Sequence, residues 1–153
     1  MRIYPKPNHL LAAFSASALA CAAAFADPIR SSAADRQLHD QVINSALGMT
    51  AKVRQAVENY RLHHNAFPSD SADIGLNPAS WTSEDIKQVT VGANGMIEIT
   101  LAASSGVDGG VIRLTPTVPA NTDQNTVDWA CTTPSYNAIA DTTSGFCEYS
   151  KLP

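Results

Sequence analysis

Two cysteines near the C-terminal end, Cys131 and Cys147, carry the clearest chemistry in this chain. In an oxidising compartment such a pair forms a disulfide by default. Closing a loop of about 17 residues contributes about 3 kcal/mol to the free energy of unfolding. A metal pair or a redox motif is the alternative, but further Cys or His residues at ligand spacing are lacking around the two cysteines. The sequence therefore predicts a disulfide.

Adjacent histidines, His63 and His64, are the next candidates for chemistry. Neighbouring residues on a helix point about 100° apart, so the two imidazoles do not form a natural chelating pair. Ser, His and Asp residues are present, but no G-x-S-x-G, H-E-x-x-H, phosphate-loop or paired-carboxylate pattern stands in a persuasive position. We predict no enzymatic activity, with no catalytic residue, no cofactor and no metal site.

The first 26 residues have the three parts of a secretory signal peptide. Arg2 and Lys6 give a positive segment, an apolar run follows over 10–25, and Ala24-Phe25-Ala26 is an A-x-A cleavage site. We therefore predict a signal peptide over 1–26 and an exported protein, located in the periplasm or outside the cell.

The domain that remains after cleavage spans 27–153, and we expect no stable membrane anchor on it. Two alternatives stay open. The apolar run could be retained as an anchor, although it is shorter than the roughly 20 residues of a usual membrane-spanning helix. Cys21 follows Ala18-Leu19-Ala20, which faintly resembles a lipoprotein cleavage box.

The charge of this domain is negative. The whole chain holds 10 Lys and Arg against 14 Asp and Glu, and loss of Arg2 and Lys6 leaves 8 against 14, a formal charge of −6. Non-specific attraction to nucleic acid or anionic lipid requires clustered positive charge. Both partners are therefore disfavoured, although a local basic patch is compatible with this balance.

One long amphipathic helix is predicted from Asp35 to His64, with Ser32 as its N-cap. Gly48 and Thr50 predict a bend near its middle, and Asn65 predicts its end through a left-handed cap. The apolar residues recur at steps of three or four and share one face. They are Leu38, Val42, Ala46, Met49, Val53, Val57 and Tyr60.

Alternating apolar and polar residues after the helix predict four strands. These are Ile86–Val91, Met96–Leu101, Val111–Thr115 and Thr126–Cys131. Gly92-Ala93-Asn94-Gly95 predicts a tight hairpin between the first two strands, and Pro116 is expected to end the third. The predicted fold class is α+β, with the long helix packed on a four-stranded antiparallel sheet.

Two regions lack sustained periodicity. The loop over 69–83 contains one large apolar residue, Trp81, which is either a lid over the junction of helix and sheet or a platform for a ligand. The tail over 132–153 is tethered by Cys147 and forms a disulfide-bounded loop. This loop is the candidate interaction site, because it is expected to project four apolar and aromatic residues near one end of the sheet. They are Tyr136, Ile139, Phe146 and Tyr149.

Several short motifs, taken in order, resemble the headgroup of a type IV pilin over roughly 41–148. The motifs run from the end of the helix to the last cysteine. They are Lys52-Val53-Arg54-Gln55-Ala56-Val57, Asn65-Ala66-Phe67-Pro68-Ser69-Asp70, Gly75-Leu76, Val89-Thr90-Val91, Gly95-Met96-Ile97, Leu114-Thr115-Pro116 and Val127-Asp128-Trp129-Ala130-Cys131, with Cys147 near the end.

The resemblance implies a long N-terminal helix, a four-stranded antiparallel sheet and a C-terminal disulfide loop. It also implies a non-enzymatic subunit of surface filaments that serve adhesion, twitching motility and DNA uptake. One departure stands out. Type IV prepilins share a short basic leader ending in glycine, followed by a hydrophobic helix with a glutamate at its fifth position. Here an ordinary signal peptide stands in that place, so assembly by the usual route is not expected.

These observations favour two functions. The first is an exported pilin-like protein that acts with type IV pilus components or pilins, as an accessory subunit or a modulator of assembly. The second is a free-standing ligand-binding module for surface attachment or DNA capture through the disulfide-bounded loop. Asp141 and Glu148 make that loop acidic, so DNA is the less favoured ligand.

Overall fold

The helical part of the chain is divided into two helices. The computed structural model describes residues 33–120 and 126–150, so the predicted signal peptide and the Ser32 cap lie outside the described residues. Helix α1 spans Ala33–Met49 and α2 spans Ala51–His64. The predicted helix is thus interrupted at Thr50, close to the expected bend. The buried Thr50 hydroxyl donates a hydrogen bond to the Leu47 carbonyl over 2.7 Å, which competes with the regular helical pattern.

The buried face of these helices differs from the predicted stripe at its edges. Val42, Ala46, Val53 and Val57 are buried as predicted, together with Ile43. Leu38 and Met49 were predicted to be buried, but their side chains are 54% and 38% exposed. They lie 11 residues apart and therefore share one flank of the helix, about a quarter turn from the centre of the buried face. Tyr60 is half-buried.

The sheet has five strands in the order β1-β2-β3-β4-β5. The strands are β1 Ile86–Val91, β2 Ile97–Leu101, β3 Val111–Thr117, β4 Asp128–Thr133 and β5 Cys147–Tyr149. The four predicted strands are present and pair antiparallel in sequence order. The fifth strand was not predicted, and it pairs parallel to β4. Three residues are too few to show an alternating pattern, which is why periodicity missed it.

Pro116 lies inside β3, although it was expected to end that strand. Proline has no N–H to donate and is normally confined to strand edges. Pairing of β2 with β3 ends at Leu114, so Thr115–Thr117 pair with β4 alone. Pro116 therefore occupies a stretch of β3 that has a neighbouring strand on one side only.

The core lies between the helices and the inner face of the sheet. Alternate residues of β1, β2 and β3 point inward and are almost fully buried, including Val89, Ile97, Ile99, Leu101, Ile112 and Leu114. Trp81 is half-buried and packs against this core, as a lid would. The helix end and the hairpin are also as predicted. Asn65 is left-handed with φ 52° and donates its N–H to the Arg61 carbonyl, and Asn94 has φ 60°.

Candidate interaction surface

The disulfide between Cys131 and Cys147 joins two directly opposed residues of neighbouring strands. Cys131 of β4 and Cys147 of β5 are partners in the parallel pairing, with their Cα atoms 4.4 Å apart. Both are buried. The disulfide therefore ties the short β5 to the sheet and fixes the last described part of the chain.

Tyr136 and Ile139 do not project from the disulfide-bounded loop, and this part of the prediction is corrected. Ile139 begins a short helix, α3 Ile139–Thr142, and its side chain is 1% exposed. The Tyr136 side chain is 9% exposed, and its Oη lies 2.6 Å from the Ser105 Oγ. Both side chains belong to the hydrophobic core, and burial of their apolar surface holds the loop against the rest of the domain.

Phe146 and Tyr149 are the two predicted interaction residues that remain exposed. They flank Cys147, and their side chains are 43% and 40% exposed. Glu148 lies between them and is also exposed. We call these three exposed residues together the terminal aromatic surface, although Glu148 and Tyr149 are consecutive in β5 and therefore point to opposite faces of the strand. It lies at the edge of the sheet, since β5 is the last strand in the sheet order.

Helix α1 holds the loop that precedes this surface. Thr142 Oγ1 donates a hydrogen bond to Asp40 Oδ1 over 2.6 Å, and Asn44 Nδ2 donates to the Thr142 carbonyl over 3.3 Å. These contacts join residues about 100 positions apart, so no local sequence pattern could have predicted them. These two hydrogen bonds fix the position of α3 relative to α1.

The connection between β2 and β3 and the first residue of β3 also hold the loop. Tyr136 Oη also donates to the Val107 carbonyl over 3.3 Å, and the Val111 N–H donates to Ser135 Oγ over 3.0 Å. Burial raises the pKa of the Tyr136 phenol above its ordinary value of 10.0, and the hydrogen bond with Ser105 partly opposes this. The loop is therefore fixed by the disulfide, by α1 and by the β2–β3 connection together.

The adjacent histidines point to different neighbours, as expected for a helix. His63 Nδ1 lies 2.7 Å from the Asn59 carbonyl oxygen, and the His64 ring stacks on Tyr60 with the ring centres 4.2 Å apart. Over residues 33–120 and 126–150, no group of three or more His, Cys, Asp or Glu side chains is arranged to hold a metal ion. The same residues contain no helix with the length and apolar character needed to cross a membrane.

The comparisons with known proteins agree with this architecture. The sequence model of the pilin family, described as a bacterial filament, matches residues 42–146. The matched part begins in α1 and ends directly before Cys147, so it includes the four antiparallel strands and most of the disulfide-bounded loop. No individual curated protein matches the chain significantly. A match over more than half of the sequence, with an N-terminal helix on an antiparallel sheet and a C-terminal disulfide, shows that this chain belongs to the pilin family of bacterial-filament proteins.

Proposed function

We propose that this protein is an exported, non-enzymatic pilin-like protein that associates with the type IV pilus system in cell adhesion, as an accessory subunit or a modulator of filament assembly. The family match carries the proposal, because pilins are structural proteins of bacterial filaments. The terminal aromatic surface gives the proposal a contact point. Exposed aromatic side chains on a fixed backbone contribute strongly to protein interfaces, because they bury a large area at low entropic cost.

The outer face of α1 supports a role through discrete contacts with a partner. Gln41, Asn44 and Ser45 are exposed on this face. A helix with a polar outer face does not need a surrounding apolar bundle, because water satisfies its exposed groups. An accessory protein that binds a filament from outside would present a surface of this kind.

Export is part of the same proposal. We propose a signal peptide over 1–26 and a pilin-like domain over 27–153, released without a membrane anchor. The disulfide supports export, because such bonds persist in oxidising compartments. Fractionation with mass measurement of the processed protein tests this step. A chain that starts at Asp27 supports it, whereas an intact N-terminus indicates an anchor and a lipidated start at Cys21 indicates a lipoprotein.

A free-standing ligand-binding module for surface attachment is the second candidate, and the exposure of Phe146 and Tyr149 is the observation that favours it. DNA is a poor ligand for this surface. Glu148 of this surface and Asp141 of the same loop are both exposed and would repel phosphates. Salt-dependent binding of DNA in a gel-shift experiment at micromolar protein would favour this second function.

Recovery of partners tests the leading function. The protein, with an affinity tag placed directly after Asp27, is isolated from the periplasm and the medium of the producing cells after mild cross-linking. We expect pilins or components of the pilus machinery among the recovered proteins. Consistent recovery of no such component would remove the support for a role in the pilus system.

A further inference from the structure

A shallow depression of about 300 Å³ lies between the last two turns of α2 and the loop that follows. It is distant in sequence from the terminal aromatic surface and does not involve the disulfide-bounded loop. Its lining includes Asn59, Tyr60, His63, His64, Asp73 and Ile74. The volume is at the small end of the range for small-molecule sites, so it suits a ligand of one ring.

The Tyr60 and His64 rings give the depression an aromatic wall. Their planes are 24° from parallel, with the ring centres 4.2 Å apart. The residues are one helical turn apart on α2, so the two rings stack face to face and each covers one face of the other. Stacking reduces the freedom of both rings, so this wall is largely fixed before any ligand arrives.

Hydrogen-bond acceptors surround this wall. The backbone N–H and the hydroxyl of Ser69 donate to Asp73 Oδ2 over 2.7 and 2.8 Å. These bonds orient the carboxylate and hold the pKa of Asp73 below its ordinary value of 3.8, so the group is charged at neutral pH. A carbonyl oxygen can only accept, so His63 Nδ1 donates to the Asn59 carbonyl, and Nε2 is the ring nitrogen left for a ligand hydroxyl.

Aromatic rings beside several hydrogen-bond acceptors restrict the chemistry of a ligand that could bind here. The ligand must present an apolar face to the rings and several hydroxyl donors to the carboxylate, imidazole and amide groups. A pyranose ring has both, since its axial C–H groups form an apolar face and its hydroxyls lie around the rim. The negative charge of Asp73 would repel a sugar that carries a carboxylate.

We propose that this depression binds one neutral hexose or N-acetylhexosamine residue. The outer face of the stacked Tyr60–His64 pair contacts the C–H face of the sugar ring, and Asp73, Asn59 and His63 accept hydrogen bonds from its hydroxyls. An open site of this size gives weak binding, with a Kd on the order of millimolar. The site is independent of the proposed pilus association, because none of its residues belongs to the terminal aromatic surface.

Titration followed by amide NMR spectra tests the proposal on the exported protein. The probes are methyl galactoside, methyl glucoside, N-acetylglucosamine and N-acetylgalactosamine, with glucuronate as the charged comparison. We expect at least one neutral sugar to shift the amide signals of Asn59, Tyr60, His64 and Asp73 in a saturable manner. Glucuronate should not shift them.

Variants distinguish specific sugar binding in the depression from nonspecific shifts of the amide signals of α2. Tyr60→Ala should weaken binding at least about threefold, whereas Tyr60→Phe, which keeps the ring, should restore it. Asp73→Asn should reduce the preference for neutral sugars over glucuronate. Leu62→Ala is the matched control, because Leu62 is 51% exposed on the same helix and does not line the depression. The proposal is overturned if no neutral sugar shifts these signals, if glucuronate binds equally well, or if Tyr60→Ala leaves the affinity unchanged.

Discussion

The indole Nε1 of Trp129 donates a hydrogen bond to Oε1 of Glu58 over 2.8 Å. This contact joins β4 to α2 across 71 residues of sequence. Both side chains are half-buried, so neither group is fully hydrated if the other is removed. Trp129 also packs against the core, which fixes its indole in place. The contact therefore links α2 to β4, the strand that carries Cys131.

Removing the Glu58 acceptor should destabilise the protein. Glu58→Ala should lower the free energy of unfolding by about 1–2 kcal/mol, because the half-buried indole N–H loses its partner. Glu58→Gln keeps an acceptor oxygen and should cost less. Urea denaturation of Glu58→Ala, Trp129→Phe and the double variant measures the coupling between the residues. A coupling energy near zero would show that the contact does not stabilise the fold.

Loss of the disulfide should have a larger effect. Closing the loop between Cys131 and Cys147 restricts the unfolded chain, so its removal should cost about 3 kcal/mol. Chemical denaturation with and without reductant measures this difference. The variant with both cysteines changed to alanine is the control, because reductant should not alter its stability. An equal denaturation midpoint for the wild-type protein in both conditions would contradict the prediction.

Two glycine substitutions should change stability in opposite directions. A Cβ added at Gly110 would lie 2.6 Å from Tyr136 Cζ, and the Tyr136 ring is held by Ser105. Gly110→Ala should therefore lower the free energy of unfolding by about 1–3 kcal/mol.

Gly48 gives the matched comparison. It lies within α1, is exposed, and has no atom within 4 Å of an added Cβ. Gly48→Ala should raise the free energy of unfolding by about 0.5–1 kcal/mol, because alanine favours the helix. Thermal or urea denaturation of both variants is the measurement. Equal effects of the two substitutions would rule out the close contact between Gly110 and Tyr136.

The buried Tyr136 phenol should make the protein sensitive to alkaline pH. Burial raises its pKa in the folded protein above the ordinary 10.0, so the folded state retains the proton longer than the unfolded state does. The protonated Tyr136 phenol therefore contributes fully to the stability of the folded state below pH 10. This contribution decreases as the pH rises towards the pKa of Tyr136 in the folded protein. Tyr136→Phe should remove this part of the decrease. Identical slopes of stability against pH between pH 9.5 and 11 in both proteins would contradict the assignment.

The sequence predicted those parts of the fold that rest on local patterns. Alternation in β2 placed Ile97 and Ile99 in the core, and Asn65 and Asn94 marked the helix end and the hairpin correctly. These features depend on residues that are close in sequence, where periodicity and backbone preference are decisive.

The features that sequence patterns missed depend on distant partners. The strand β5 forms because β4 lies beside it and the disulfide holds it there. Tyr136 resembled an exposed loop residue because its partners, Ser105 and Val107, come from another connection. Of the four predicted interaction residues, only Phe146 and Tyr149 are exposed. Which side chains of the loop face solvent depends on how the loop packs against distant residues.

The proposed association with the pilus system depends most directly on the terminal aromatic surface. A comparison of three tagged proteins tests it: the wild-type protein, the double variant Phe146→Ala with Tyr149→Ala, and Leu62→Ala as the control for loss of an exposed apolar side chain. Each is purified after cross-linking in the producing cells, and recovered pilus components are quantified by mass spectrometry. We expect equal recovery with the wild-type and Leu62→Ala proteins and a strong reduction with the double variant. Recovery of no pilus component by the wild-type protein, or undiminished recovery by a correctly folded double variant, would contradict the account.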